Sequence, residues 1–114
     1  MAPTSLPGQV TDTSPYGRKV EESGYPIRMS ELLAALEGVA YVERVSVHDV
    51  RHINQAKKAI RKAFEYQIAG RGFSMVEVLS TCPTNWGKTP VESLEWLKDN
   101  MIPCYPLGVK KEVG

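Results

Sequence analysis

With 114 residues, 42% of them hydrophobic and 24% charged, the chain has the make-up of one ordinary globular domain rather than a disordered segment. A formal net charge of +1 provides no field for nucleic acid or an anionic membrane surface. The apolar runs fall far short of the roughly 18 residues that a membrane span requires, and no basic-then-apolar leader opens the sequence. The two cysteines, Cys82 and Cys104, form no CxxC pair. The expectation is a cytoplasmic protein whose thiols stay reduced.

Residues 1–27 carry Pro3, Pro7, Gly8, Pro15, Gly17, Gly24 and Pro26. Proline fixes φ and removes a backbone donor, so this segment is expected to be mostly irregular. An irregular stretch of this length belongs to a functional site or normally rests on further protein.

Regular periodicity follows. Residues 29–36 read as a short helix with Leu32, Leu33 and Leu36 on one side and Gly38 as its stop. Residues 41–47 are rich in β-branched side chains and read as a strand. Residues 50–69 form the strongest helical pattern: Ile53, Ala56, Ile60, Ala63, Phe64 and Ile68 recur at helical spacing, with Asp49 as N-cap and Gly70 as terminator. Residues 73–79 read as a second strand. Thr89-Pro90-Val91-Glu92 then opens a helix expected to reach Met101, with a capping threonine, a proline at the first helical position and Glu92 closing a capping box. Pro103 and Pro106 are expected to stop it.

The predicted order is α-β-α-β-α. Residues 1–27 form an irregular segment, 28–108 a partial α/β domain and 109–114 a tail. Two strands joined by a long helix lie parallel with a right-handed crossover, so the fold class is a piece of an open, mostly parallel α/β sheet. Parallel sheets are normally covered on both faces, and two such strands are expected to have neighbours.

Ligands of open α/β sheets gather at the C-terminal ends of the strands. The loop after the second strand, Ser80-Thr81-Cys82-Pro83-Thr84-Asn85-Trp86-Gly87-Lys88, puts a thiol, hydroxyls, an amide and an indole at that edge. Cys82 has a plain reading as a structural thiol and a sharper one as a reactive thiol, which requires a base or a helix N-terminus nearby. His48 ends the first strand and could pair with Cys82 at this edge, or it could simply find a backbone partner. His52 is placed in the first turn of the long helix. Lys57, Lys58, Arg61 and Lys62, opposed by Glu65, read as a solvated face, with a docking surface for an acidic partner as the alternative. No phosphate-binding glycine loop or zinc-ligand spacing is present.

Several words of the sequence, taken in order, carry a resemblance. Met1-Ala-Pro-Thr-Ser-Leu-Pro-Gly-Gln9, Ser14-Pro-Tyr-Gly17, Tyr25-Pro-Ile27, Glu31-Leu-Leu-Ala34, Tyr41-Val-Glu-Arg44 and Val47-His-Asp49 resemble the β subunits of 2-oxoacid:ferredoxin oxidoreductases. The most specific words are Phe73-Ser-Met-Val-Glu-Val-Leu-Ser-Thr-Cys-Pro-Thr-Asn-Trp86 and Met101-Ile-Pro-Cys-Tyr-Pro-Leu-Gly108. The resemblance spans essentially the whole chain and is strongest to the branch acting on 2-oxoglutarate or branched-chain 2-oxoacids.

The resemblance implies the C-terminal part of a thiamine-diphosphate-binding fold. It implies an activity that oxidatively decarboxylates a 2-oxoacid to an acyl-CoA and passes electrons to ferredoxin. Cofactors in the complete enzyme would be thiamine diphosphate, magnesium and a [4Fe–4S] cluster. Partners would be the rest of the β subunit, the α subunit and ferredoxin. The family's CxxCG and GDG words are absent, so catalysis is expected only in a complete assembly, from a split subunit, a truncated frame or an excerpt. Cys82 matches the family's late cysteine, the fourth cluster ligand in cluster-bearing members. Thr4 matches a stretch near the diphosphate-binding loop and is expected to line the cofactor pocket. Cys104 matches no ligand. The competing readings are a non-catalytic α/β interaction module and a degenerate gene product.

Overall fold

A computed structural model describes residues 5–11, 14–82 and 86–113. Its elements are α1 (Val20–Ser23), α2 (Met29–Ala34), β1 (Val39–Ser46), α3 (Val50–Ile68), β2 (Phe73–Leu79), α4 (Pro90–Trp96), a π-helical turn (Leu97–Met101), α5 (Ile102–Cys104) and β3 (Gly108–Glu112). The strands form one sheet in the order β2-β1-β3. β1 and β2 run parallel, from Val39 opposite Phe73 to Ser46 opposite Leu79, joined by α3 as the crossover.

The central strand is β1, and every one of its residues except Glu43 is buried. A nearly continuous buried run is what a strand covered on both faces requires. On one face, Val45 packs with Ala56 and Ala59 of α3 and with Val76, and Tyr41 stacks on Tyr66 of α3 with ring centroids 5.5 Å apart. On the other face, Arg44 reaches Glu31 of α2 and the carbonyl of Pro106. A second apolar cluster, Leu79, Trp86, Leu97, Met101 and Tyr105, closes the C-terminal end of the parallel pair.

Local signals explain most of the boundaries. Asp49 caps α3 by accepting from the His52 amide at 2.8 Å. Gly70 follows α3 with φ +67°, the left-handed conformation that ends a helix. Thr89 and Glu92 form the expected capping box on α4, with Pro90 in the first turn. Gly72 is required sterically: at φ +138°, a β-carbon there would lie 2.6 Å from the Gly38 carbonyl oxygen. That carbonyl is the one that receives the Phe73 amide and starts the β1–β2 pairing.

The structure corrects the expectations for the C-terminal residues. Residues read as a tail supply β3, antiparallel to β1, which makes the sheet mixed and only partly parallel. The strand carries no apolar alternation; Lys62 pairs with Glu112, and Tyr66 donates to that carboxylate at 2.9 Å. Pro103 does not stop the last helix. The π-helical turn before it widens the backbone spiral, so α5 runs through the proline to Cys104 and closes with a 2.7 Å bond from the Tyr105 amide to Met101. Cys104 therefore belongs to the last helical turn, packed on the apolar cluster that contains the fully buried Tyr105. The apolar stripe of α3 is only partly covered. Its alanines face the sheet, while Phe64 and Ile68 are 64% and 85% exposed.

Residues 5–11 and 14–27 are mostly irregular, as expected, apart from α1 and a Thr11–Ser14 bridge. Buried Arg18 organises this segment, donating from Nη1 to the Ser5 carbonyl at 3.2 Å and from Nε to the Gly24 carbonyl at 3.1 Å. No helix among the described residues is long and apolar enough to cross a membrane.

Candidate functional site

The parallel register places the ends of β1 and β2 side by side, with Ser46 opposite Leu79. From this edge the chain enters two loops: Val47-His48-Asp49, leading into α3, and Ser80-Thr81-Cys82, leading toward Trp86. A small cavity lies between them, lined by Val47, His48, Leu79, Ser80, Thr81 and Leu97, among others. The edge named from sequence is therefore a real juxtaposition, and it includes His48.

His48 is held by side chains, not by the backbone partner expected of it. Its Nδ1 is 2.7 Å from the hydroxyl of fully buried Ser46. Its Nε2 is 3.3 Å from Asp49 Oδ2. Burial, and then the neighbouring His52 ring, hold the His48 pKa below its ordinary value. Asp49 is extended, at φ −152° and ψ 171°, which turns its carboxylate back over the first turn of α3. There it accepts from the His52 amide and lies 2.7 Å from His52 Nδ1. The backbone bond first, and then the side-chain bond, hold the Asp49 carboxyl below its usual value. The two imidazole rings lie 4.2 Å apart, centroid to centroid. The sequence reading treated Asp49 only as a cap and His52 only as a first-turn residue. The signal it passed over is the His-Asp-x-x-His spacing, which puts a strand-end residue, a cap and an N-terminal helix residue over one point.

Cys82 is half-buried with a free thiol, packed against the cluster of Leu79, Trp86, Leu97, Met101 and Tyr105. Its carbonyl accepts the Trp86 amide at 2.9 Å. The described contacts join His48 to Ser46, Asp49 and His52; no contact with Cys82 is among them. Cys104, also free, packs on the same cluster, and its carbonyl accepts from Arg28 Nε at 3.0 Å. A [4Fe–4S] cluster usually takes four thiolates. The chain contains two cysteines, so its own residues do not make up a cluster site. Thr4 lies outside the described residues.

The basic residues of α3 behave as a solvated face. Lys57, Lys58 and Arg61 are exposed, Arg61 sits 3.4 Å from Glu65, and Lys62 turns to Glu112 of β3.

No family model and no solved structure match the chain significantly. Curated proteins do. The chain is 44% identical over 107 residues to the ketoisovalerate oxidoreductase subunit VorA of Methanothermobacter thermautotrophicus, covering 94% of this chain and 22% of that protein. It is 34% identical over 108 residues to the 2-oxoglutarate synthase subunit KorB of Methanothermobacter marburgensis, covering 90% of this chain and 33% of the relative. For KorB of Archaeoglobus fulgidus the identity is 39% over 100 residues, 88% of this chain and 33% of the relative. The chain thus spans about a fifth to a third of the length of these relatives. Its homologues are subunits of 2-oxoacid:ferredoxin oxidoreductases, and the chain matches the C-terminal portion of such a subunit.

Proposed function

We propose that the chain works as part of the thiamine-diphosphate-binding β subunit of an enzyme that oxidatively decarboxylates a 2-oxoacid to an acyl-CoA and reduces ferredoxin. In this reading it is inactive alone and catalyses only in a complete assembly with the rest of the β subunit and the α subunit, in the cytoplasm. The observation that carries the proposal is the near-full coverage of this chain at 44% identity by a ketoisovalerate oxidoreductase subunit. The fold is compatible with it: an open α/β sheet with β2 at its edge and an α3 stripe exposed beside that edge. Such surfaces are normally covered by further strands and helices.

Within the assembly, Cys82 would supply one thiolate to a [4Fe–4S] cluster. The other ligands would come from outside this chain. This reading is supported by the parallel strand β2, which ends three residues before Cys82. Thr4 would line the thiamine diphosphate pocket. The exposed α3 stripe and β2 edge also suit a non-catalytic interaction module, and one experiment separates the two. The chain is co-expressed with the complementary part of a β subunit, and the product is tested for stoichiometric co-purification and for thiamine diphosphate binding by calorimetry. The expected result is binding by the pair and none by the chain alone. A stable pair that binds no thiamine diphosphate would favour the interaction module.

A further inference from the structure

We propose that His48, Asp49 and His52 form a binding site for a single zinc ion, at the point where β1 hands over to α3. The imidazole nitrogens and the carboxylate oxygen offered by these residues all lie within 4.8 Å of one another. Ligands around a tetrahedral zinc, with bonds of about 2.0–2.1 Å, stand about 3.3–3.4 Å apart. His48 Nε2 and Asp49 Oδ2 already have that separation, at 3.3 Å. His52 Nδ1 is 2.7 Å from the other carboxylate oxygen, Asp49 Oδ1, so a modest rotation of the exposed Asp49 side chain opens the second edge; the third, between the two imidazoles, falls within the same 4.8 Å.

The surroundings of His48 supply the second partner that a ligating imidazole needs. Ser46 is fully buried at the end of β1, and its hydroxyl lies 2.7 Å from His48 Nδ1. In the tautomer whose Nδ1–H donates to Ser46, the Nε2 lone pair faces the Asp49 carboxylate, acceptor against acceptor. A cation between them converts that repulsion into two bonds. A second partner that fixes the tautomer and orientation of a ligating imidazole is the usual support of a metal-bound histidine.

The donor set selects the ion class. Two imidazoles and one carboxylate suit zinc and its neighbours, whereas magnesium and calcium favour all-oxygen shells. The His48 side chain is almost buried, while Asp49 is about half exposed, at 48%. The ion would therefore be held on the protein side and open to water on the other, giving three protein ligands and one exchangeable position.

The test uses the full 114-residue chain. Zinc chloride titrated in a calorimeter is expected to saturate at one equivalent with micromolar affinity. Cobalt chloride is expected to give visible d–d absorption of a nitrogen/oxygen site. Asp49→Asn keeps a good helix cap but removes the charged ligand, and His52→Ala changes a helix-surface side chain. Each should weaken zinc binding by about tenfold or more, with circular dichroism unchanged. Replacing both cysteines by serine should leave binding intact. The proposal is overturned if no saturable binding occurs up to millimolar zinc. It is equally overturned if Asp49→Asn and His52→Ala bind as the parent does, or if the cysteine variants abolish binding.

Discussion

Arg44 and Glu77 are register partners on neighbouring parallel strands, and their side chains meet at 3.1 Å between Nε and Oε1 on the face of the sheet opposite α3. The guanidinium is fully buried. It also binds Glu31 of α2 and the carbonyl of Pro106, and it lies 5.3 Å from the ring of Tyr105. Ser30 donates to the same Glu77 oxygen. One side chain thus ties α2, β2 and the segment after α5 to the central strand.

Arg44→Ala is expected to cost about 3–5 kcal/mol, because it leaves Glu77 as a largely buried, uncompensated charge. Urea unfolding followed by circular dichroism would show this as a lowered midpoint. Adding Glu77→Leu to Arg44→Met should recover part of the loss, since removing both charges is far less costly than removing one. A double variant no more stable than Arg44→Ala would contradict the role given to the pair.

Glu31 sets an acid limit. Its hydrogen bond to Arg44 is the largest cause holding its carboxyl below the ordinary value of 4.5. A carboxylate whose folded pKa is depressed contributes stability above its unfolded pKa and loses it as the pH falls through the folded pKa. The side chain is 38% exposed, so the contribution is expected to stay within about 1 kcal/mol. Glu31→Gln should be slightly less stable than the parent at pH 7, and the difference should shrink as the pH falls below the ordinary carboxyl value of 4.5. Thermal melts across pH 3–7 would check this, and a difference that widened in acid would contradict it.

Much of this framework was legible in the sequence, for identifiable reasons. α3, β2 and the start of α4 were readable because periodicity, an N-cap and a capping box are local signals. Gly108-Val-Lys-Lys-Glu112 was not readable as a strand. Its pairing is fixed by distant groups such as Lys62 and Tyr66, and its residues alternate nothing apolar. Pro103 misled because the π-helical turn that admits it has no sequence signature of its own. At the site, the juxtaposition of the two strand-end loops, with His48 facing Ser80 and Thr81 across a small cavity, follows from the parallel register that the long crossover helix implies. The grouping of His48 with Asp49 and His52 was missed because a cap residue and a first-turn histidine have adequate local explanations taken one at a time.

Cys82 and Cys104 should separate in an assembled β subunit. Cys82→Ala is expected to lose the [4Fe–4S] cluster or leave it labile, because a missing thiolate removes both a bond and negative charge. Cys104→Ala should keep it. Iron and sulfide content, with the paramagnetic resonance spectrum of the reduced protein, would decide. A full cluster in Cys82→Ala would return that residue to the role of a thiol packed against Trp86 and Leu97.

In the proposed assembly this chain is expected to do the work of the segment it matches. The most direct measurement exchanges it for the corresponding segment of VorA from Methanothermobacter thermautotrophicus, assembles the enzyme with its other subunits, and follows CoA-dependent reduction of an electron acceptor with ketoisovalerate. Turnover is expected from the exchanged enzyme, and none when the segment is simply deleted. A folded, fully assembled and cofactor-loaded exchange enzyme without turnover on ketoisovalerate, 2-oxoglutarate or other branched-chain 2-oxoacids would contradict it.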